Sequence, residues 1–144
     1  MKYDDASWHY GGDFPDDLSE EAAATHIGMF LAWAITNDLA GELHLGDSQD
    51  SIQKVKNRSM TGREFLLKEC DEKFTDEDLN EEGNLFAQYY YEGEDDHYGK
   101  YLGDYEETLL PGLPSMYHVD DTWENFDKIE SPISKAYQEW KATG

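Results

Sequence analysis

Apolar residues recur at helical spacing along most of this chain, and the stripes are separated by glycine, proline and capping residues. The clearest stripe is Ala23, Ile27, Phe30, Leu31 and Ala34, spaced to line one face of a helix. Ser19 stands at its predicted start as an N-cap, and Glu20 and Glu21 fill the first turn, where the helix dipole favours negative charge. That helix is expected to end near Asn37, with Gly41 closing the turn. Ile52 and Val55 predict a second helix from about Asp50 to Arg58. Thr61 and Glu64 form the T-x-x-E capping-box pattern that opens a third, carrying Phe65, Leu66 and Cys70. Thr75 reads as a further N-cap, leading through an acidic turn into Leu79, Leu85, Phe86, Tyr89 and Tyr90, with Gly83 interrupting the pattern.

Beyond a polar loop from Gly93 to Gly99, the stretch from Tyr101 to Leu109 predicts a short helix, and Pro111, Gly112 and Pro114 break the chain. Met116 to Val119 reads as a short strand or extended segment. Ser131 before Pro132 is a helix start, followed by the stripe Ile133, Ala136, Tyr137 and Trp140. At the other end, residues 1–18 mix Tyr3, Trp8, His9, Tyr10 and Phe14 with Gly11-Gly12 and Pro15 and read as an irregular, partly buried aromatic arm. There is no linker composition and no internal repeat. The expected architecture is mainly α: a single compact domain over residues 1–144, with five or six orthogonally packed helices and room for a minor two-stranded element.

Composition changes this picture in one respect. The chain of 144 residues carries a formal charge of -22, and acidic chains with few apolar residues are often disordered. Four Trp, ten Tyr and six Phe argue for a folded core, because each large ring can bury about 150–250 Å². A domain of this length buries roughly 70% of its unfolded surface.

The charge is also unevenly placed. From Tyr3 to Gln53 there are eleven carboxylates and no lysine or arginine, while Lys54, Lys56, Arg58, Arg63, Lys68 and Lys73 cluster together. Such a field repels nucleic acid and anionic membrane and speeds encounter with basic partners. With no apolar leader at Met1 and no run approaching the length of a membrane span, the protein is expected to be cytosolic, with no nucleic-acid or membrane partner.

Candidate chemistry is sparse. The single cysteine, Cys70, rules out an internal disulfide or a multi-cysteine zinc site and reads as a small buried side chain; Glu69, Asp71 and Glu72 beside it would raise its pKa. Asp76-x-Asp78-x-Asn80 imitates the start of an EF-hand loop, but Glu81 and Ala87 stand where that loop needs glycine and a bidentate glutamate. His9, His26, His44, His97 and His118 show no zinc-motif spacing. His26 sits beside the apolar stripe. If the arm packs on that helix, His9 and His26 could meet, and an aspartate would complete a 2-His-1-carboxylate site.

The consecutive Tyr89, Tyr90 and Tyr91 cannot all face one core, since three successive helical residues span about 200°. At least one is expected to be partly exposed, beside Glu92, Glu94, Asp95 and Asp96, with Tyr98, Tyr101, Asp104 and Tyr105 following. Exposed phenolic rings among carboxylates have the composition of a binding hot spot for a basic protein.

The stretches Tyr3-Asp4-Asp5-Ala6, Trp8-His9, Phe14-Pro15 and Ala24-Thr25-His26-Ile27-Gly28-Met29-Phe30-Leu31-Ala32-Trp33 resemble a family of small acidic bacterial proteins of unknown function. Asn80-Glu81-Glu82-Gly83-Asn84, Tyr89-Tyr90-Tyr91 and Asp121-Thr122-Trp123-Glu124-Asn125-Phe126 carry the resemblance further. It implies no activity and no catalytic residues. In size and acidity the chain is also similar, by analogy, to immunity proteins of bacterial toxin systems. The leading expectation is therefore a non-enzymatic, cofactor-free cytosolic immunity protein that occludes a cognate basic toxin through the segment from Tyr89 to Tyr105. The alternatives are a small metal-binding protein or enzyme using His9 and His26 with nearby acids, and a DNA-mimic or regulatory adaptor.

Overall fold

The helix α1, Thr25–Thr36, is buried along almost its whole length, from Thr25 through Ile35. A helix that is apolar all round belongs at the centre of a domain, so the expected single inner face is corrected: every face of α1 meets protein. In this computed structural model, residues 2–9, 14–15, 17–92 and 100–143 are described. A 3₁₀ turn at Glu20–Ala24 precedes α1. Ser19 stands at its N-cap but makes no side-chain capping bond.

Around α1 lie α2 (Glu42–Asp47), α3 (Gln49–Lys56), α4 (Gly62–Glu69), α5 (Glu81–Ala87), α6 (Lys100–Leu109) and α7 (Trp123–Thr143). Thr61 and Glu64 form the reciprocal capping box that the sequence predicts for α4. Gly41, expected to close a turn, instead stands at the N-cap of α2, a helix too short to leave a periodic apolar signal. A small antiparallel sheet pairs β1 (Lys2–Asp5) with β2 (Lys73–Thr75), placing Asp4 opposite Phe74 and Asp5 opposite Lys73. The start of the N-terminal arm is therefore a strand, and a 3₁₀ turn at Ala6–Trp8 follows it. The sequence supports the class: a mainly helical single domain with a minor two-stranded element, and with seven α-helices among the described residues where five or six are expected.

Two local expectations are overturned. Met116–His118 is a 3₁₀ turn and not a strand. Pro132 lies inside α7, which starts eight residues before Ser131, at Trp123. The ring denies Lys128 one hydrogen bond, but Phe126, Ile129 and Ile133 fall on one buried face across the proline. Burying that continuous stripe outweighs one missing bond.

At one crossing, α1 lies directly against the start of α4. A Cβ at Gly62 would stand 1.8 Å from the Gly28 carbonyl oxygen, and one at Gly28 would stand 2.3 Å from the Arg63 backbone nitrogen. Only two glycines let these backbones touch. Beside this crossing, Phe30 is ringed by Tyr91, Tyr101, Phe74 and Trp33, with centroids 5.0, 5.3, 5.7 and 5.9 Å away. Because the obstruction at Gly62 is backbone rather than a movable side chain, Gly62→Ala is expected to cost about 3 kcal/mol or more, the upper end for overpacking. Urea unfolding checks this; a loss under about 1 kcal/mol would show that the crossing can relax.

Candidate functional site

Asp4 is a buried carboxylate on β1, and the chain is folded around it. Its Oδ1 accepts the Asp5 backbone N–H at 2.8 Å and lies 2.7 Å from Nε2 of His9, which closes the first 3₁₀ turn. Its Oδ2 accepts the Tyr91 hydroxyl at 2.5 Å and lies 3.4 Å from Nε2 of His26, in the first turn of α1. The two imidazoles meet edge to face, 4.6 Å between centroids. His9 Nδ1 is 2.9 Å from the Tyr117 hydroxyl. The Tyr101 hydroxyl donates to the His26 carbonyl at 2.5 Å, and the Tyr105 ring lies 6.0 Å from the His26 ring.

Two polar atoms in this neighbourhood are buried without a hydrogen-bond partner among the described residues: Nε2 of His26 and the hydroxyl of Tyr105. The 3.4 Å approach of His26 to Asp4 is an ion-pair distance but lacks hydrogen-bond alignment. His26 is 1% exposed, and burial is the largest influence on its imidazole, pushing its pKa below the ordinary value despite Asp4. The ring is therefore neutral at pH 7. Burial alone would push the Asp4 carboxyl up, but contact with His26 and His9 outweighs it and holds Asp4 well below the usual carboxylate range. Tyr91, pushed well above its ordinary value by burial, stays a donor. The result is an ionised carboxylate between two imidazoles, with one ligand atom from each of the three within 4.8 Å of the others. His9, with its side chain 15% exposed, is the member nearest solvent.

The structure brings His9 and His26 together and supplies the aspartate, Asp4. Nothing in the sequence singles out Asp4 among the eleven acids of its segment; its pairing across the sheet with Phe74, a long-range contact, puts it there. The tyrosine segment is different from its expected form. Tyr90, Tyr91, Tyr101 and Tyr105 are all buried, so the expectation of an accessible phenolic surface is corrected for these four. The π-helical turn Gln88–Glu92 carries Tyr90 and Tyr91 inward. Aliphatic residues are few in this chain, so rings fill the core, and their hydroxyls need acceptors: half-buried Asp104 for Tyr90 at 2.5 Å, buried Asp4 for Tyr91 and a carbonyl for Tyr101. Tyr89 is the exposed member of the trio, at 42%, with the Lys100 amine donating to its hydroxyl at 2.7 Å. Glu92 ends the π-helical turn; Glu94, Asp95, Asp96, Tyr98 and His97 lie outside the described residues. Asp76–Asp78 forms a 3₁₀ turn, with Asp78 buried.

Residues 2–119 match the family described as Domain of unknown function (DUF7832), and the chain belongs to that family. Asp4, His9, His26, Tyr91, Tyr105 and Tyr117 all fall inside the matched stretch, whereas α7 falls outside it. Neither a curated protein nor a solved structure matches the chain. The likeness to immunity proteins gains no support from these comparisons. No helix among the described residues is long and apolar enough to cross a membrane.

The two hydroxyls give opposite expectations. Tyr91→Phe removes a donor from an ionised buried carboxylate and should cost about 1–3 kcal/mol. Tyr105→Phe removes a hydroxyl that has no partner and should change stability by about 0.5 kcal/mol or less, or raise it. Chemical denaturation of both variants checks the pair; equal losses would mean that the two hydroxyls are equivalently satisfied.

Proposed function

We propose that this protein binds a divalent transition metal through Asp4, His9 and His26. The observation that carries the reading is the unpartnered, buried Nε2 of His26, 3.4 Å from an ionised carboxylate that also contacts a second imidazole. Two imidazoles and one carboxylate converging in this way are the donor set of 2-His-1-carboxylate centres, which leave coordination positions open on the metal. The surrounding groups suit that role. Tyr117 can accept the Nδ1–H of His9 and so leave its Nε2 lone pair for a metal, and Tyr91 and the Asp5 N–H fix the two oxygens of Asp4. A divalent cation would also relieve the otherwise unfavourable burial of the Asp4 charge.

Protein made without a histidine tag is expected to retain about one equivalent of iron, zinc or manganese by elemental analysis, and His26→Gln should weaken that binding at least tenfold. Wild-type protein that takes up no such metal when supplied with it would sink the reading.

A specific surface favours a second reading, capture of a basic protein, which is the expectation from charge moved to a new place. Two adjoining grooves share Asn80 and Glu81. Leu43 and Leu85, 45% and 51% exposed, lie in them beside Leu79 and Trp140, and Glu42, Glu77 and Glu82 line the same grooves. An apolar seam edged by carboxylates suits a cationic amphipathic helix. An immunity protein occluding a basic toxin would use this seam and not the buried tyrosines. Replacing both Leu43 and Leu85 with Glu should weaken binding of a lysine-rich amphipathic peptide about tenfold or more, read by tryptophan fluorescence. Charge attraction alone would make that doubly more acidic variant bind tighter, which is the contrary result.

A further inference from the structure

A second set of donor atoms converges away from Asp4. His44 comes from α2, Cys70 from the C-terminal end of α4, and Asp78 from the 3₁₀ turn after β2. Nε2 of His44 is 2.6 Å from Oδ1 of Asp78, and the Cys70 sulfur is 3.4 Å from that oxygen and 3.7 Å from that nitrogen. His44 and Asp78 are buried, and Cys70 is half-buried.

The hydrogen bonds around the trio decide what it can hold. Ser48 has one hydroxyl proton, and it donates that proton to Glu69 at 3.3 Å. Toward His44 Nδ1, 3.3 Å away, Ser48 can then accept an N–H, so Nδ1 can carry the ring proton when Nε2 serves as a metal ligand. Nε2 faces the carboxylate oxygen at 2.6 Å, the distance of a hydrogen bond that places one proton between them. A metal would displace that proton and take the lone pairs of both atoms. The other Asp78 oxygen is occupied by the Thr75 backbone N–H at 2.7 Å, so Oδ1 is turned toward the trio.

The separations suit a metal. Zinc bonds of about 2.3 Å to sulfur and about 2.0–2.2 Å to nitrogen or oxygen place tetrahedral ligands roughly 3.3–3.6 Å apart. Both sulfur separations are already close to that range, and the nitrogen–oxygen gap of 2.6 Å has to widen by about 0.7 Å as the metal replaces the proton. Glu69, bonded to Ser48 and to Ser51 at 2.5 Å, orients the outer layer behind His44.

We propose that His44, Cys70 and Asp78 form a zinc-type metal centre, with Nε2, Sγ and Oδ1 as ligands and the fourth position open to water. Binding exchanges the thiol proton of Cys70 for the metal and releases that proton to solvent, so thiolate, carboxylate and divalent cation sum to zero charge. This also gives Cys70 a role other than nucleophile. Burial first, then Asp78 and Glu69, push its free thiol up, which disfavours an unliganded thiolate.

The centre is independent of the one at Asp4, and sulfur separates the two experimentally. Cys70 is the sole cysteine, so a near-ultraviolet thiolate-to-cobalt charge-transfer band can come from nowhere else. Titrating the full chain with Co²⁺ should raise that band to saturation at one equivalent in His26→Gln and by two equivalents in the wild type, where the Asp4 cluster takes up an ion of its own. His44→Gln and Asp78→Asn should each weaken it at least tenfold. No band, or one unchanged in both variants, overturns the proposal, the latter by showing a lone thiol binding by itself. Should those variants fail to fold, alkylation of Cys70 in the wild type decides. Two equivalents of Zn²⁺, enough for both clusters, should slow it at least tenfold, reversibly with chelator, and an unaltered rate overturns the centre.

Discussion

The burial of one ionised carboxylate, Asp4, is the constraint on which the rest of this structure depends. A charge removed from water is tolerated only when it is paired and hydrogen-bonded, and Asp4 draws its partners from β1 itself, the turn that follows, α1 and the turn after α5. The strand with its turn, α1 and the tyrosine turn are far apart in sequence, so satisfying one side chain fixes the N-terminal strand to the central helix and the central helix to the tyrosine segment. The strand is short, with three paired positions, and pairing of that length holds little by itself.

The second constraint is how a chain this acidic builds a core. Self-repulsion opposes compaction, and aliphatic residues are few, so aromatic rings supply the apolar area. Phe30 sits at their centre, and Tyr90, Tyr91, Tyr101 and Tyr105 pack around it and α1. Tyrosine brings a hydroxyl with each ring, which is why carboxylates reach the core: buried Asp4 accepts from Tyr91 and half-buried Asp104 from Tyr90. Acidic side chains and tyrosines, which together suggest a surface for a partner, here satisfy one another in the interior.

The two donor clusters follow from the same economy. Each places a carboxylate against an imidazole in the interior, and each uses hydroxyls as the outer layer, Tyr91 and Tyr117 around one and Ser48 and Ser51 around the other. The Gly28–Gly62 contact brings α4 against α1. The helix that carries His26 in its first turn is thus packed directly on the helix that ends at Cys70.

Local signals were legible in the residues themselves. The T-x-x-E box of Thr61 and Glu64, the end of α1 at Asn37 and the helix over residues 101–109 depend on neighbours a few positions apart. The angular argument for Tyr89, Tyr90 and Tyr91 likewise required one ring to be exposed, and Tyr89 is. Pro132 misled because its local cost is visible in sequence while the buried face of Phe126, Ile129 and Ile133 that overrides it is a tertiary quantity. By itself, then, the chain determined its helical class, its caps and the possibility that His9 and His26 could meet. Which acid joins them, which tyrosines turn inward, and that His44, Cys70 and Asp78 share one point were decided only by tertiary packing. Charge and ring burial are properties of the space around a side chain, and that space is made by residues tens of positions away.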